Sequence, residues 1–200
     1  MLRRQHGVIA RRQLRALGMT EDAVKARLRR GAMIRVDQRV YAVGHDRLTE
    51  RGRWMAAVLG SGDGAVLSHR SAGALWGLFT RSMPFADVSV PRTSGHRGRR
   101  GVVVHRSVHL ADDITKKDAI PVTKPPRTLL DLAEVLNRRA LERSLDEGER
   151  LRLCHRQDLL SAIERSPGRV GGARLAAVLR DHDIGSTATE NDFEELLIGL

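Results

Sequence analysis

The chain has 200 residues, of which 41% are hydrophobic and 30% are charged. This balance excludes an intrinsically disordered protein and suits one large folded domain or two small ones. Its 35 Lys and Arg residues against 24 Asp and Glu residues give a formal net charge of +11. Aromatic residues make up only 3% of the chain, which disfavours a single-strand or RNA surface that stacks bases on aromatic rings.

Cysteine content and hydropathy set the expected compartment. The single cysteine, Cys154, excludes an internal disulfide and a cysteine-rich zinc site. No apolar run in the sequence approaches the length of a membrane span, and the first residues lack the apolar segment of a signal peptide. We therefore expect a cytoplasmic protein without a membrane partner.

The positive charge is concentrated at the N-terminus. Residues 1–40 hold 11 Lys or Arg and 3 acids, so they carry eight of the eleven net positive charges. A local excess of this size is typical of a surface that binds a polyanion, since each neutralised phosphate releases a condensed counterion. The alternative is a solvated basic surface without a ligand.

The same segment has the pattern of a winged helix-turn-helix. We predict a short helix over 9–17, a turn at Gly18, and a second helix that Thr20 caps and that runs to Arg30. A basic hairpin follows around residues 36–38 and predicts a wing. The usual first helix of this fold would lie before His6, where only five residues remain, so we expect it to be short or missing.

The second helix is the predicted DNA reader. Val24 and Leu28 give it a narrow buried face, and Lys25, Ala26 and Arg29 lie on the opposite face. Residues on the flanking helix and on the hairpin are expected to add phosphate contacts. The predicted contacts to double-stranded DNA are Arg11, Arg12, Lys25, Ala26, Arg29, Arg30, Arg35 and Arg39.

The rest of the chain predicts an α+β fold in which a small mixed α/β domain and a helical C-terminal tail follow the winged helix-turn-helix. The expected domains are 1–45, 46–150 and 151–200. We predict helices at 48–60, 68–77, 127–136, 138–148 and 174–180, a last helix from Thr189, and strands at 65–67, 86–90, 101–105 and 119–123.

Several short segments in a fixed order carry a family resemblance. They are residues 5–9, 13–14, 17–18, 35–36, 40–45, 67–72, 74–77, 120–123 and 127–133. This series closely resembles the AbiEi-type antitoxins and transcriptional regulators of abortive-infection (type IV, AbiE-like) toxin–antitoxin systems. Within that family it is similar to the actinobacterial branch, in which the module precedes a very-short-patch-repair-like endonuclease domain of the PD-(D/E)XK class. The resemblance implies an N-terminal winged helix that binds promoter DNA and represses its own operon, and a cognate toxin from that operon that need not touch it directly.

The C-terminus bears on whether the chain is an enzyme. Residues 187–200 resemble the first helix of that nuclease domain, where Glu190, Glu194 or Glu195 would supply an early acid. Such a nuclease also needs an Asp and an acid-x-Lys on later strands to hold a metal and a water, and those strands would follow Leu200. We therefore expect a non-enzyme with no catalytic residues, metal or cofactor. The alternatives are the N-terminal portion of such an endonuclease whose catalytic core is missing from this chain, and a protein-interaction module that uses the middle domain.

Other motifs favour structural interpretations. Ser68-His69 with Asp63 has hydrolase-type residues, but no nucleophile elbow is present and Ser68 is placed to cap a helix. His105 and His109 lack a third metal ligand. The basic loop 97–100 is equally compatible with a second phosphate contact and with a soluble tip. Cys154 is expected to be a small core residue without a reactive thiol.

Overall fold

The computed structural model describes residues 2–37, 39–44, 47–81, 83–95 and 97–181. Contacts divide the chain into two compact units, Met1–Lys124 and Pro125–Leu200. Two sheets and several helices confirm the predicted α+β class. The predicted division at residues 45 and 150 stays a prediction.

The first unit begins with a three-stranded antiparallel sheet in the order β1-β3-β2, formed by Val8–Ala10, Val40–Val43 and Met33–Asp37. Helices α1 (Arg11–Ala16) and α2 (Glu21–Arg29) lie between β1 and β2 in the chain. The prediction of a helix from residue 9 was wrong at its start, because Ile9 and Ala10 pair with Tyr41 and Val40 in the sheet. Cross-strand pairing and the β-branched Val8-Ile9 pair outweigh the helical spacing there. A short 3₁₀ turn, Leu2–Gln5, occupies the place of the expected first helix.

Both faces of this sheet are buried, because successive side chains of a strand point to opposite faces. On one face, Ile9, Met33 and Tyr41 pack with Leu14 of α1 and Val24 of α2. The other face packs into a larger core that contains the buried residues of helix α3 (Glu50–Gly60). That face carries Val8, Ala10, Val40 and Ala42.

Helix α3 lies at the centre of the first unit. Thr49 caps it by accepting a hydrogen bond from the Gly52 amide at 3.1 Å, so the helix begins two residues after the predicted start. It contacts all three strands of the first sheet and strands of the second sheet as well. A helix between two sheets must be apolar on nearly every side, which explains why six consecutive residues from Trp54 to Leu59 are buried.

The second sheet of this unit is mixed and has the order β6-β5-β4-β8-β7. Its strands are β4 (Val66–Leu67), β5 (Ala86–Pro91), β6 (Val102–Ser107), β7 (Ile114–Lys117) and β8 (Ile120–Thr123). Helix α4 (His69–Trp76) follows β4. Strand β7 was not predicted, because a short edge strand with two lysines carries little apolar signal.

The second unit is helical where the structure describes it. It contains α5 (Pro125–Val135), α6 (Arg138–Arg150), α7 (Arg156–Glu164) and a further helical stretch over 170–181. Helix α5 packs against α6 and α7, and its buried Arg127 and Asp131 form a salt bridge of 2.8 Å one turn apart. The predicted helix from Thr189, with Glu190, Glu194 and Glu195, lies outside the described residues.

Candidate nucleic-acid interface

Helix α2 is the element that the sequence predicts to read DNA. Its N-terminus is capped by Thr20, which accepts a hydrogen bond from the Ala23 amide at 3.2 Å. Val24 is buried and Leu28 packs against the same cluster, while Lys25 and Arg29 are exposed. The predicted buried face and the exposure of Lys25 and Arg29 are therefore confirmed, whereas Ala26, which was expected on the exposed face, is partly buried. Contact of this helix with DNA stays a prediction.

An ion-pair cluster connects α1 to α2. Glu21 lies 2.5 Å from Arg11 and 2.9 Å from Arg15, in both cases from the Nη2 atom. The hydrogen bonds from these two arginines lower the pKa of Glu21, and the bond from Glu21 raises the pKa of Arg11. Arg11 therefore holds the two helices together as well as adding positive charge to the surface.

Two other residues that are predicted to contact DNA also have partners within the protein. Arg12 donates to the carbonyl oxygen of Leu59 at 2.8 Å and pairs with Asp63 at 2.9 Å, which ties α1 to the end of α3. Lys25 lies 3.2 Å from Asp22 one turn away, and both side chains are largely exposed. An exposed pair of this kind is weak and can exchange its partner for a phosphate at little cost.

The remaining predicted arginines are exposed. Within the described ranges, the side chains of Arg29, Arg30, Arg35 and Arg39 make no hydrogen bond or ion pair. Arg35 pairs across the ladder with Tyr41, and paired residues project from the same face of a sheet. Arg35 therefore projects from the face on which α1 and α2 pack. Ala26 is partly buried on α2.

A basic depression lies between α1 and the end of α3. Its volume is about 420 Å³, and its lining includes Gly60 and four arginines. Glu21 and Asp63 offset part of this charge through the ion pairs described above, while Arg39 has no such partner among the described residues. Guanidinium groups in this arrangement are suited to a phosphate oxygen. The arginines are Arg11, Arg12, Arg15 and Arg39.

The β2–β3 hairpin is fixed to a distant part of the first unit. Its register shifts between Arg35 and Asp37, and the Asp37 carboxylate accepts a hydrogen bond from Nε of Arg99. The same guanidinium donates to Ser61 Oγ at 3.2 Å and to the Ala57 carbonyl oxygen at 3.3 Å. This connection was not predicted, because Asp37 and Arg99 are 62 residues apart and nothing in the hairpin pattern or in the basic loop indicates that the two segments meet.

A second polar cluster surrounds the start of α4. Ser68 precedes the helix, but the prediction that its side chain caps α4 was wrong: Ser68 Oγ lies 2.9 Å from Nδ1 of His69 instead. His69 stacks on His105 with ring centroids 3.5 Å apart. Nε2 of His105 lies 2.8 Å from a carboxylate oxygen of Asp87. The acid in this cluster is therefore Asp87 of strand β5. It is not Asp63, which the sequence suggested as the acid near Ser68 and His69.

Burial argues that this cluster is structural. Ser68 and His69 are 0% exposed and Asp87 is 1% exposed, so solvent reaches the cluster through His105, whose side chain is 25% exposed. The contacts join α4 to β5 and β6. A hydrolytic site needs a nucleophile that a substrate can reach, and Ser68 does not meet that condition.

The sequence also predicts no metal site, no membrane span and no reactive thiol. In the part of the chain that the structure describes, no three His, Cys, Asp or Glu residues are grouped as metal ligands, and no helix has both the length and the hydropathy of a membrane span. Cys154 is buried, and burial is the main cause that raises the pKa of its thiol to about 11.

Similarity to a solved structure extends over most of the chain. The crystal structure of the RV2827C protein from Mycobacterium tuberculosis matches 86% of this chain and 71% of its own, with a TM-score of 0.57 and 18% sequence identity. At this identity the match shows a shared fold. No curated protein matches the chain.

The amino-acid sequence also matches a known protein family. Residues 63–180 match the model of the AbiEi antitoxin C-terminal domain. The protein belongs to the AbiEi antitoxin family. This match confirms the family part of the sequence-based interpretation, while fusion to a repair-like endonuclease stays a prediction.

Proposed function

We propose that this antitoxin-like component of a toxin–antitoxin system is a transcriptional regulator that binds double-stranded operator DNA through residues 1–45. The order of α1, turn, α2 and β2–β3 hairpin supports a winged helix-turn-helix, in which α2 enters the major groove and the hairpin is the wing. The carrying observation is the exposed face of α2 with Lys25 and Arg29.

Charge placement separates two kinds of contact. Lys25 and Arg29 on the reader helix are positioned for base edges, whereas Arg35 and Arg39 on the wing are positioned for the phosphate backbone. The carboxylate partner of Arg11 is at the start of α2, and that of Arg12 follows the end of α3. Their larger contribution is to orient α1 and α2, with a phosphate contact at the basic depression as their second role.

The family supports a functional partner as well as DNA. An AbiEi antitoxin implies a cognate toxin, and we infer that repression of a shared operon links the two without requiring contact between the proteins. We further propose that the protein acts by binding in the cytoplasm, without catalysis. The 200-residue chain should leave supercoiled and linear DNA intact in Mg²⁺ or Mn²⁺, and metal-dependent cleavage that a Glu190→Ala/Glu194→Ala/Glu195→Ala variant loses would overturn this part of the proposal.

The test of DNA binding uses the DNA upstream of the protein's own gene. The Lys25→Ala/Arg29→Ala variant should bind this duplex more weakly, by about 1–3 kcal/mol for each side chain that reads a base edge. The matched control is Arg139→Ala/Arg143→Ala, which removes two exposed arginines of α6. Equal affinities of the parent, the control and the Lys25/Arg29 variant would exclude α2 as the reader.

A further inference from the structure

We propose that the basic turn, defined as residues 97–101 between β5 and β6, is a second phosphate-binding element that continues the DNA surface of the wing. This inference rests on the proposed function. The contacts of Arg99 with the β2–β3 hairpin carry it, since they hold the turn beside the proposed wing.

Residues 99–101 of the basic turn have a defined backbone conformation. Arg99 and Val102 exchange two backbone hydrogen bonds, of 3.1 and 2.8 Å, which close a tight reverse turn around Arg100 and Gly101. Gly101 has a φ of +76°, a conformation that glycine adopts at little cost. Its carbonyl oxygen also accepts a hydrogen bond of 2.9 Å from the Ala86 amide at the start of β5. Arg100 is thus presented by an ordered turn attached to the sheet.

Arg99 connects this turn to the hairpin. Its guanidinium binds Asp37, Ser61 Oγ and the Ala57 carbonyl oxygen, and its side chain is only 25% exposed. Asp37 neutralises its charge, so Arg99 is a positioning residue and adds no free positive charge. The connection spans 62 residues of sequence and makes the place of the turn depend on the hairpin.

The packing at Gly60 supports the role of the Asp37–Arg99 pair in placing the turn beside the hairpin. A Cβ atom at Gly60 would lie 2.5 Å from Nη2 of Arg99 and 2.8 Å from Oδ2 of Asp37. The absence of a side chain at Gly60 therefore leaves room for the pair at the end of α3. Gly60 also lines the basic depression with Arg39, so the pair lies directly beside the arginines of the proposed DNA surface.

The exposed charges of the turn lie next to the hairpin. Arg100 lines a depression together with Val36 and Asp37 of β2. Arg97 and Arg100 are exposed, and within the described ranges neither side chain makes a hydrogen bond or ion pair. Each is therefore free to neutralise a phosphate that lies beyond those contacted by Arg35 and Arg39. Because the backbone at Arg100 is fixed by the turn, its binding costs less conformational entropy than that of an arginine on a free loop.

The test is a salt titration of operator binding with four variants. The slope of log affinity against log salt is negative. Arg97→Ala/Arg100→Ala should reduce its magnitude by about two, roughly 0.9 for each lost phosphate contact. Asp37→Asn/Arg99→Gln removes both charges of the pair, so the net charge of the surface is unchanged. This variant should reduce the magnitude of the slope by a similar amount, because it releases the turn from the hairpin. The other two variants are Lys25→Ala/Arg29→Ala, which tests the reader helix, and its matched control on α6, Arg139→Ala/Arg143→Ala.

The outcomes separate the two proposals. An unchanged slope in Arg97→Ala/Arg100→Ala, together with weakened binding by Lys25→Ala/Arg29→Ala, would overturn the second phosphate element and leave the reader helix in place. A parent chain that does not bind the duplex at low salt would overturn both. Circular dichroism establishes that each variant is folded. Arg97→Ala/Arg100→Ala decides the question even where Asp37→Asn/Arg99→Gln does not fold, because Arg97 and Arg100 are exposed.

Discussion

Glu21 Oε1 lies 2.5 Å from Nη2 of Arg11, so the first residue of α2 is held by the first residue of α1. Arg15 reaches the same oxygen at 2.9 Å from the end of α1. One carboxylate at the start of α2 therefore fixes the relation between two helices that are six and nine residues long. Isolated helices of this length are unstable in water, and contacts of this kind help to define them.

Stability should depend on the charge of Glu21 at acid pH. The hydrogen bonds from Arg11 and Arg15 lower the pKa of this carboxyl below its ordinary value of 4.5. Its contribution to stability is fully present above the unfolded pKa and is lost as the pH falls through the lower, folded pKa. Thermal unfolding between pH 7 and pH 3 should therefore show a larger decrease in Tm for the parent than for Glu21→Gln.

A matched substitution separates this effect from general acid unfolding. Glu164 is exposed at the end of α7, and Glu164→Gln should retain the pH dependence of the parent. Parallel Tm curves for the parent and Glu21→Gln would show that the ion-pair cluster does not stabilise the fold.

Local features of the fold were predicted from the sequence, whereas features that depend on long-range contacts were not. Thr20 as a cap and Val24 with Leu28 as a buried face follow from periodicity and cap chemistry, which act over a few residues. The strand at Val8–Ala10 was missed because it is defined by its pairing with β3. The same limit explains the candidate site: exposure of Arg29 was predictable, but the partners of Arg12 and Asp37 depend on residues that are 47 and 62 positions away.

Gly60→Ala should not stabilise the first unit. An Ala within a helix is ordinarily more stable than a Gly by about 0.5–1 kcal/mol, but here the new methyl group would meet Arg99 and Asp37 at 2.5 and 2.8 Å. Both of these atoms are at the ends of flexible side chains, which must move to admit the methyl group and thereby weaken the Asp37–Arg99 pair. This loss offsets the helical gain, so the free energy of unfolding in urea denaturation should not exceed that of the parent. Gly95→Ala is the control, since nothing lies within 4 Å of a Cβ atom there. A stabilised Gly60→Ala variant would contradict the tight Asp37–Arg99 contact.

The thiol of Cys154 should be unreactive in the native protein. Burial raises its pKa to about 11, and the thiolate is the reactive form. Relative to an ordinary thiol with a pKa of about 8.5, the thiolate population at pH 8 is lower by more than about a hundredfold. Reaction with a disulfide reagent should therefore be slow in buffer and fast in denaturant. Equal rates in the two conditions would show that Cys154 is exposed.

His105→Ala should lower stability without weakening DNA binding. The substitution removes the stack on His69 and leaves the buried Asp87 carboxylate without its imidazole partner. Loss of a partner from a buried polar group costs about 1–3 kcal/mol, which urea denaturation can measure. His109→Ala, at an exposed position just after β6, should stay within about 0.5 kcal/mol of the parent. Operator affinity measured below the unfolding transition should be the same for both variants and the parent. A His105→Ala variant that keeps the stability of the parent and loses DNA binding would replace the structural role of this cluster with a functional one.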